Sequence, residues 1–151
     1  MVKKVIKFLL VLIIMFTIFS FSNENDVKST KRSDGLIIRT TEFILGRQLT
    51  SKEKELYIEK YVYIVRKTAH FTIYFLLGLA FVSFLREFNL DNKKLLICTV
   101  LFVFIYSCSD EIHQLFISGR SGEILDVFID TLGGFTSSFI YTRLFTRKRN
   151  I

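Results

Sequence analysis

Proline and tryptophan are absent from the 151-residue chain, and cysteine, methionine and histidine occur only twice each. Seven glycines are too few for a collagen-like repeat, and two cysteines cannot build a disulfide framework. Both cysteines, Cys98 and Cys108, fall in one apolar run, which suits packing rather than redox chemistry or metal binding. An apolar content of 50%, with 17 Phe, excludes disorder. The length allows a single domain, 1–151. What the chain does have is positive charge: 21 Lys+Arg against 14 Asp+Glu, for a net +7. A pI near 9.5 raises nucleic acid as a partner, yet the mean hydropathy of +0.39 points elsewhere. A soluble basic domain mixes charged and apolar residues, and here the two are segregated.

Four apolar stretches approach the roughly 20 residues that a membrane-crossing helix needs. They cover about 5–21, 62–85, 95–115 and 124–145. Lys7 interrupts the first near its end, where a lysine can snorkel. The expected fold is all-α: a four-transmembrane-helix bundle with an amphipathic helix on its outer face. Ten basic residues (Lys3, Lys4, Lys7, Arg86, Lys93, Lys94, Arg143, Arg147, Lys148 and Arg149) flank these stretches with only Glu87 and Asp91 for company, a local +8. The connection 22–60 carries eight basic and seven acidic residues, and the remainder three and five. Basic flanks mark the cytoplasmic side, so both termini are expected inside a multi-pass protein of the cell membrane. Nucleic-acid binding thereby loses its main support. The first stretch also has the form of a signal peptide, although Ser20-Phe21-Ser22 is a poor cleavage site.

Within the outer connection, Asp34 is placed to cap a helix from Gly35 to Leu45 whose Ile37, Ile38, Thr41, Ile44 and Leu45 share a face, with Gly46 as its stop. Such a segment belongs in the membrane–water interface. Thr50-Ser51-Lys52-Glu53 reads as a capping box that opens a helix leading into the second span. Tyr57, Tyr61 and Tyr63 fall where an interfacial aromatic belt is expected.

Ionisable residues inside spans are costly and are functional suspects by default. They are Arg66, Lys67 and His70 in the second span, Asp110, Glu111 and His113 with Gln114 in the third, and Asp126 and Asp130 in the fourth. The expected topology brings them all to the outer end of the bundle. Arg66 and His70 share a helix face, as do Asp126 and Asp130. The glycine-bearing loop 116–122 is short enough to fold Arg120 back over the group. Three readings stand beside one another. The charges neutralise one another as structural glue, they form a binding or reaction site, or the histidines and carboxylates hold a metal. No HExxH or comparable spacing supports the last, and no cofactor is implied.

Arg66-Lys67-Thr68-Ala69-His70-Phe71 with Tyr74, then Asp110-Glu111-Ile112-His113-Gln114-Leu115-Phe116 with Gly119-Arg120 and Asp126, resemble the VanZ-like family. Gly133-Gly134 and Phe21-Ser22 also fit that pattern. Asn23-Glu24 stand where Ser-Gln is common, and Ser118 and Asp130 where Pro and Asn are usual. The resemblance implies a small bacterial multi-pass membrane protein of the cell envelope that affects susceptibility to the glycopeptide teicoplanin. Some members are labelled phosphotransbutyrylases, a cytoplasmic coenzyme A reaction that an outward-facing site does not accommodate. On this reading Arg66, Lys67 and Arg120 hold an anionic lipid or lipid-linked envelope precursor, with Gln114 and Asp130 as further ligand contacts. His70 and His113 exchange protons, oriented by Asp110, Glu111 or Asp126. The alternative is a non-catalytic binding or accessory role, with a membrane-protein partner.

Overall fold

The computed structural model describes residues 1–145. Five helices follow in order: α1 (Val2–Ser22), α2 (Asp26–Leu45), α3 (Ser51–Leu85), α4 (Asn92–Gln114) and α5 (Ile124–Leu144), with a 3-10 turn at Arg86–Phe88. No strand occurs among the described residues. Four of the helices, α1, α3 with its 3-10 turn, α4 and α5, are long and apolar enough to cross a membrane.

Side-chain caps fix several of the boundaries. Thr50 accepts from Glu53 N while the Glu53 carboxylate accepts from Thr50 N at 2.9 Å, so the expected capping box opens α3. From there α3 runs unbroken for 35 residues, about 52 Å at 1.5 Å per residue. Asp91 caps α4 through Lys94 N at 2.9 Å. Gly46, at φ 65°, ends α2 in the left-handed region, as expected of that residue.

The start of α2 corrects the sequence reading. Asn25, not Asp34, is the cap, accepting from Lys28 N at 3.1 Å, and the helix begins nine residues before Gly35. A helix nucleated at Asn25 simply propagates through Asp34 and Gly35, because one interior glycine costs only ~1 kcal/mol. The proposed apolar face is realised in part. Ile37 is buried and Ile38 and Thr41 half-buried, but Ile44 and Leu45 are exposed.

The bundle buries polar as well as apolar residues and keeps its flanks apolar. Ser107, Ser137, Ser138, Thr99 and Asp130 are fully buried, whereas Ile13, Phe16, Ile105 and Phe128 lie exposed on its flanks. Small residues let the helices approach closely. A Cβ on Gly133 would stand 2.6 Å from the Phe71 carbonyl of α3, and one on Gly134 2.7 Å from Val103 of α4. α1 packs Val11 and Ile18 into the core beside Tyr74, Leu77, Ala80 and Val103. The Tyr106 hydroxyl donates to the Met15 carbonyl at 2.7 Å. α2 lies along α3.

The two ends of the bundle differ. At one end Lys7 meets Glu87 at 2.5 Å and Arg86 donates to Asn92 at 2.8 Å, where the start of α1, the end of α3 and the start of α4 gather. At the other end lie the start of α2, the turn after α4 and the polar residues described next.

Candidate functional site

Positions 66, 70 and 74 recur every four residues, so α3 directs Arg66, His70 and Tyr74 along one face. On α4, Ser107, Asp110, Glu111 and Gln114 present a matching polar strip, and α5 contributes Asp126 and Asp130 from its first two turns. The turn after α4 folds back as its glycines allow. Gly119 takes φ 77°, and a Cβ on Gly122 would lie 2.7 Å from the Glu111 carbonyl.

The resulting network is dense. Lys67 Nζ lies 2.6 Å from both Glu123 and Asp126. His70 Nδ1 is 3.2 Å from Asp130 Oδ1, and Asp130 Oδ2 accepts from the Ser107 hydroxyl at 2.6 Å. A carboxylate only accepts, so this pairing puts the proton of a neutral His70 on Nδ1 and its lone pair on Nε2, which faces Asp126 Oδ2 at 4.0 Å. Tyr74 donates to Asp110 at 3.2 Å. Gln114 Nε2 donates to Glu111 at 3.1 Å and reaches Asp110 at 3.3 Å and Ser22 of α1 at 3.5 Å. Glu111 also accepts from Glu123 N at 2.8 Å. The four carboxylates Asp110, Glu111, Asp126 and Asp130 are all buried.

Beside this network a cavity of about 180 Å³ opens among α1, α2, α3 and α4. His70, Tyr74 and Asp110 line it, together with Arg32, Arg66 and Arg120. Arg120 Nη1 donates to Ser29 Oγ at 2.8 Å, while its Nε is buried without a partner. Burial, and then the neighbouring Arg66 cation, pull the Arg120 guanidinium below its ordinary value. The carboxylate nearest Arg66 is Asp26, at 3.9 Å. Three arginines therefore line the cavity with Asp110 as the carboxylate among them, and Arg66 is only loosely paired.

The structure thus brings Arg66, Lys67, His70, Asp110, Glu111, Gln114, Arg120, Asp126 and Asp130 to one end of the bundle. His113 stands apart. It projects toward α1 and stacks on Phe19, ring centres 4.9 Å apart, with Nε2 buried and unpartnered. Sequence reasoning missed Ser107 and Glu123, and the three α2 residues Ser29, Arg32 and Ser33. Arg32 and Ser33 lie three and four residues after Ser29, which marks a common helix face once the helix is known to start at Asp26.

Among the described residues one group has metal-ligand chemistry: His70, Glu111 and Asp126 offer atoms within 4.8 Å of one another. Lys67 already supplies a cation to Asp126 there. The arrangement as a whole suits binding of an anion against the arginines, with a histidine held in a fixed orientation beneath it.

No curated protein and no solved structure matched the chain. The VanZ/LLP1 family model, in contrast, matches residues 7–146, nearly the full length and a span that contains the polar positions above, and this multi-pass membrane protein belongs to the VanZ/LLP1 family.

Proposed function

We propose that the protein is a VanZ-type component of the bacterial cell envelope that binds the anionic head group of a lipid or lipid-linked envelope precursor in the outer leaflet, and thereby alters susceptibility to glycopeptides such as teicoplanin. The observation that carries this reading is the cavity that Arg66 and Arg120 both line, where the carboxylate nearest Arg66 is Asp26 at 3.9 Å. Guanidinium forks match phosphate oxygens bidentately, and a phosphate would relieve the repulsion between the two cations. The basic flanks of the spans support an outward-facing cavity.

The catalytic form of the proposal adds hydrolysis or group transfer at the head group. His70 would exchange the proton at Nε2, oriented through Nδ1 by Asp130, with Asp110, Glu111 and Asp126 shaping the surrounding charge. The test is incubation of purified protein in nanodiscs with a phospholipid or a polyprenyl phosphate, followed by mass spectrometry of the lipids. Turnover is expected, and His70→Gln should lower it by roughly 10²–10⁴-fold. Intact lipid after prolonged incubation with correctly folded protein would sink the catalytic form and leave binding.

A second, non-catalytic reading rests on the mutual satisfaction of the polar groups. Lys67 with Glu123 and Asp126, Tyr74 with Asp110, and Ser107 with Asp130 already pair without a ligand. Under it Asp110→Asn impairs stability and leaves ligand affinity largely intact, whereas the catalytic reading requires loss of turnover in a stable protein.

A further inference from the structure

The cavity under the arginines is small. About 180 Å³ falls below the ~300–1,000 Å³ typical of ligand pockets and suits a head group rather than a whole amphiphile. Phe21, Ala69 and Ile73 are shared with an adjoining apolar groove, which continues between α2 and α3 past Leu36, Val65, Thr72 and Leu76. Its α3 wall, from Ile64 to Leu76, covers twelve helical steps, about 18 Å. The polar cavity and the apolar groove thus adjoin along a membrane-spanning helix.

The wall that closes both compartments is α2. Ser29, Arg32 and Ser33 line the cavity from that helix, and Leu36, one turn further on, lines the groove. Arg32 lies over the Phe21 ring, 4.5 Å from its centre, at the junction between the two. Its partner Glu24 is 2.5 Å away, and the pair is half-exposed. Arg66 and Arg120 have no such close partner.

We propose, resting on the anionic-lipid reading above, that α2 is an integral wall of the binding site: a phosphate-bearing lipid seats its phosphate among Arg32, Arg66 and Arg120, and one hydrocarbon chain lies in the groove between α2 and α3. The charge of the cavity selects the anion and the adjoining groove selects an amphiphile over a soluble phosphate. A lipid so bound reaches the cavity sideways from the bilayer, along the seam between the two helices.

The experiment compares two probes on the full-length protein in detergent micelles, by native mass spectrometry and competition: dioleoylphosphatidic acid and glycerol 3-phosphate. The unaltered protein should bind the lipid at least tenfold more tightly than glycerol 3-phosphate. Thr72→Trp, on the α3 side of the groove, and Leu36→Trp, on the α2 side, should each lower that ratio at least tenfold. Arg32→Ala should weaken the lipid severalfold. Size-exclusion profiles and unfolding midpoints identify misfolded variants, and the two tryptophans approach the groove from different helices, so a failure of one leaves the other decisive. Equal affinity for both probes, or an unchanged ratio in a folded groove variant, would overturn the proposal. Unchanged binding of the lipid by Arg32→Ala would remove α2 from the site. Retention of both probes by Arg66→Ala and Arg120→Ala is a different result, which defeats the head-group reading itself.

Discussion

Asp130 is fully enclosed, and its two oxygens are assigned: one to Ser107 Oγ at 2.6 Å, the other to His70 Nδ1 at 3.2 Å. Removing a buried acceptor strands both donors, which for a buried charged pair costs ~3–5 kcal/mol. Asp130→Ala is therefore expected to lower the unfolding midpoint of the detergent-solubilised protein sharply. Asp130→Asn keeps one acceptor oxygen, for His70, and turns the other into an NH2 donor that the Ser107 hydroxyl can rotate to accept, so it should cost much less, in keeping with the asparagine usual at this position of the VanZ-like pattern. Equal losses for the two variants would show that charge, not hydrogen bonding, is what the site requires. Glu123 makes a complementary case outside the spans. The hydrogen bond from Lys67 holds its carboxyl below the ordinary glutamate range, outweighing its slight burial. A depressed folded-state pKa contributes stability that is complete above the ordinary glutamate range and lost as pH falls through the lowered value. Glu123→Gln should flatten that acid limb of the stability curve, and an unchanged limb would mean the Lys67 contact is dispensable. At this scale the sequence was informative wherever a four-residue spacing put side chains on one helix face, as for Arg66, His70 and Tyr74. It could not reveal that His113, next to Gln114 in the chain, turns toward Phe19 of α1. Which side of α4 meets α1 depends on packing between distant segments.

Among the helices, glycines separate close approach from mere tolerance. A Cβ on Gly78 would stand 2.4 Å from Ser137 Oγ and 2.8 Å from the Gly134 backbone, whereas one on Gly35 meets nothing within 4 Å. Gly78→Ala should accordingly force α3 and α5 apart and destabilise by ~1–3 kcal/mol. Gly35→Ala should stabilise by ~0.5–1 kcal/mol, since the exposed interior of α2 gains helix propensity at no steric cost. Thermal midpoints measured side by side check both, and a stabilised Gly78→Ala would refute the close α3–α5 contact. The capping box at Thr50 and the stop at Gly46 were legible because each is a local rule satisfied within four residues. The start of α2 was not, because Asn25 and Asp34 are both competent caps and the choice rests on where the helix nucleates. That ambiguity also hid the site. With α2 begun at Gly35, Ser29, Arg32 and Ser33 fall in a loop, and the fourth wall of the cavity disappears.

For the molecule as a whole, the excess of charge and the polar cavity lie at opposite ends. Lys3, Lys4, Lys7, Arg86, Lys93 and Lys94 flank the ends of α1, α3 and α4, and the arginine cavity opens about one membrane thickness away. Arg147, Lys148 and Arg149, counted with the same excess, lie outside the described residues. Pairing does not cancel the asymmetry: Lys7 is matched by Glu87 and Lys94 by Asp91, but among the described residues Lys93 forms no ion pair. Positive flanks stay on the side from which chains are inserted, so the cavity should face outward. In a background carrying Cys98→Ser and Cys108→Ser, a membrane-impermeant maleimide applied to intact cells should label Lys31→Cys on α2 and leave Lys93→Cys unlabelled until the membrane is permeabilised. The opposite pattern would turn the cavity toward the cytoplasm. It would remove any direct action on outer-leaflet lipids or glycopeptide targets, while leaving phosphate recognition by the arginines intact, because the cavity's affinity depends on its own charges and its topology on residues at the far end.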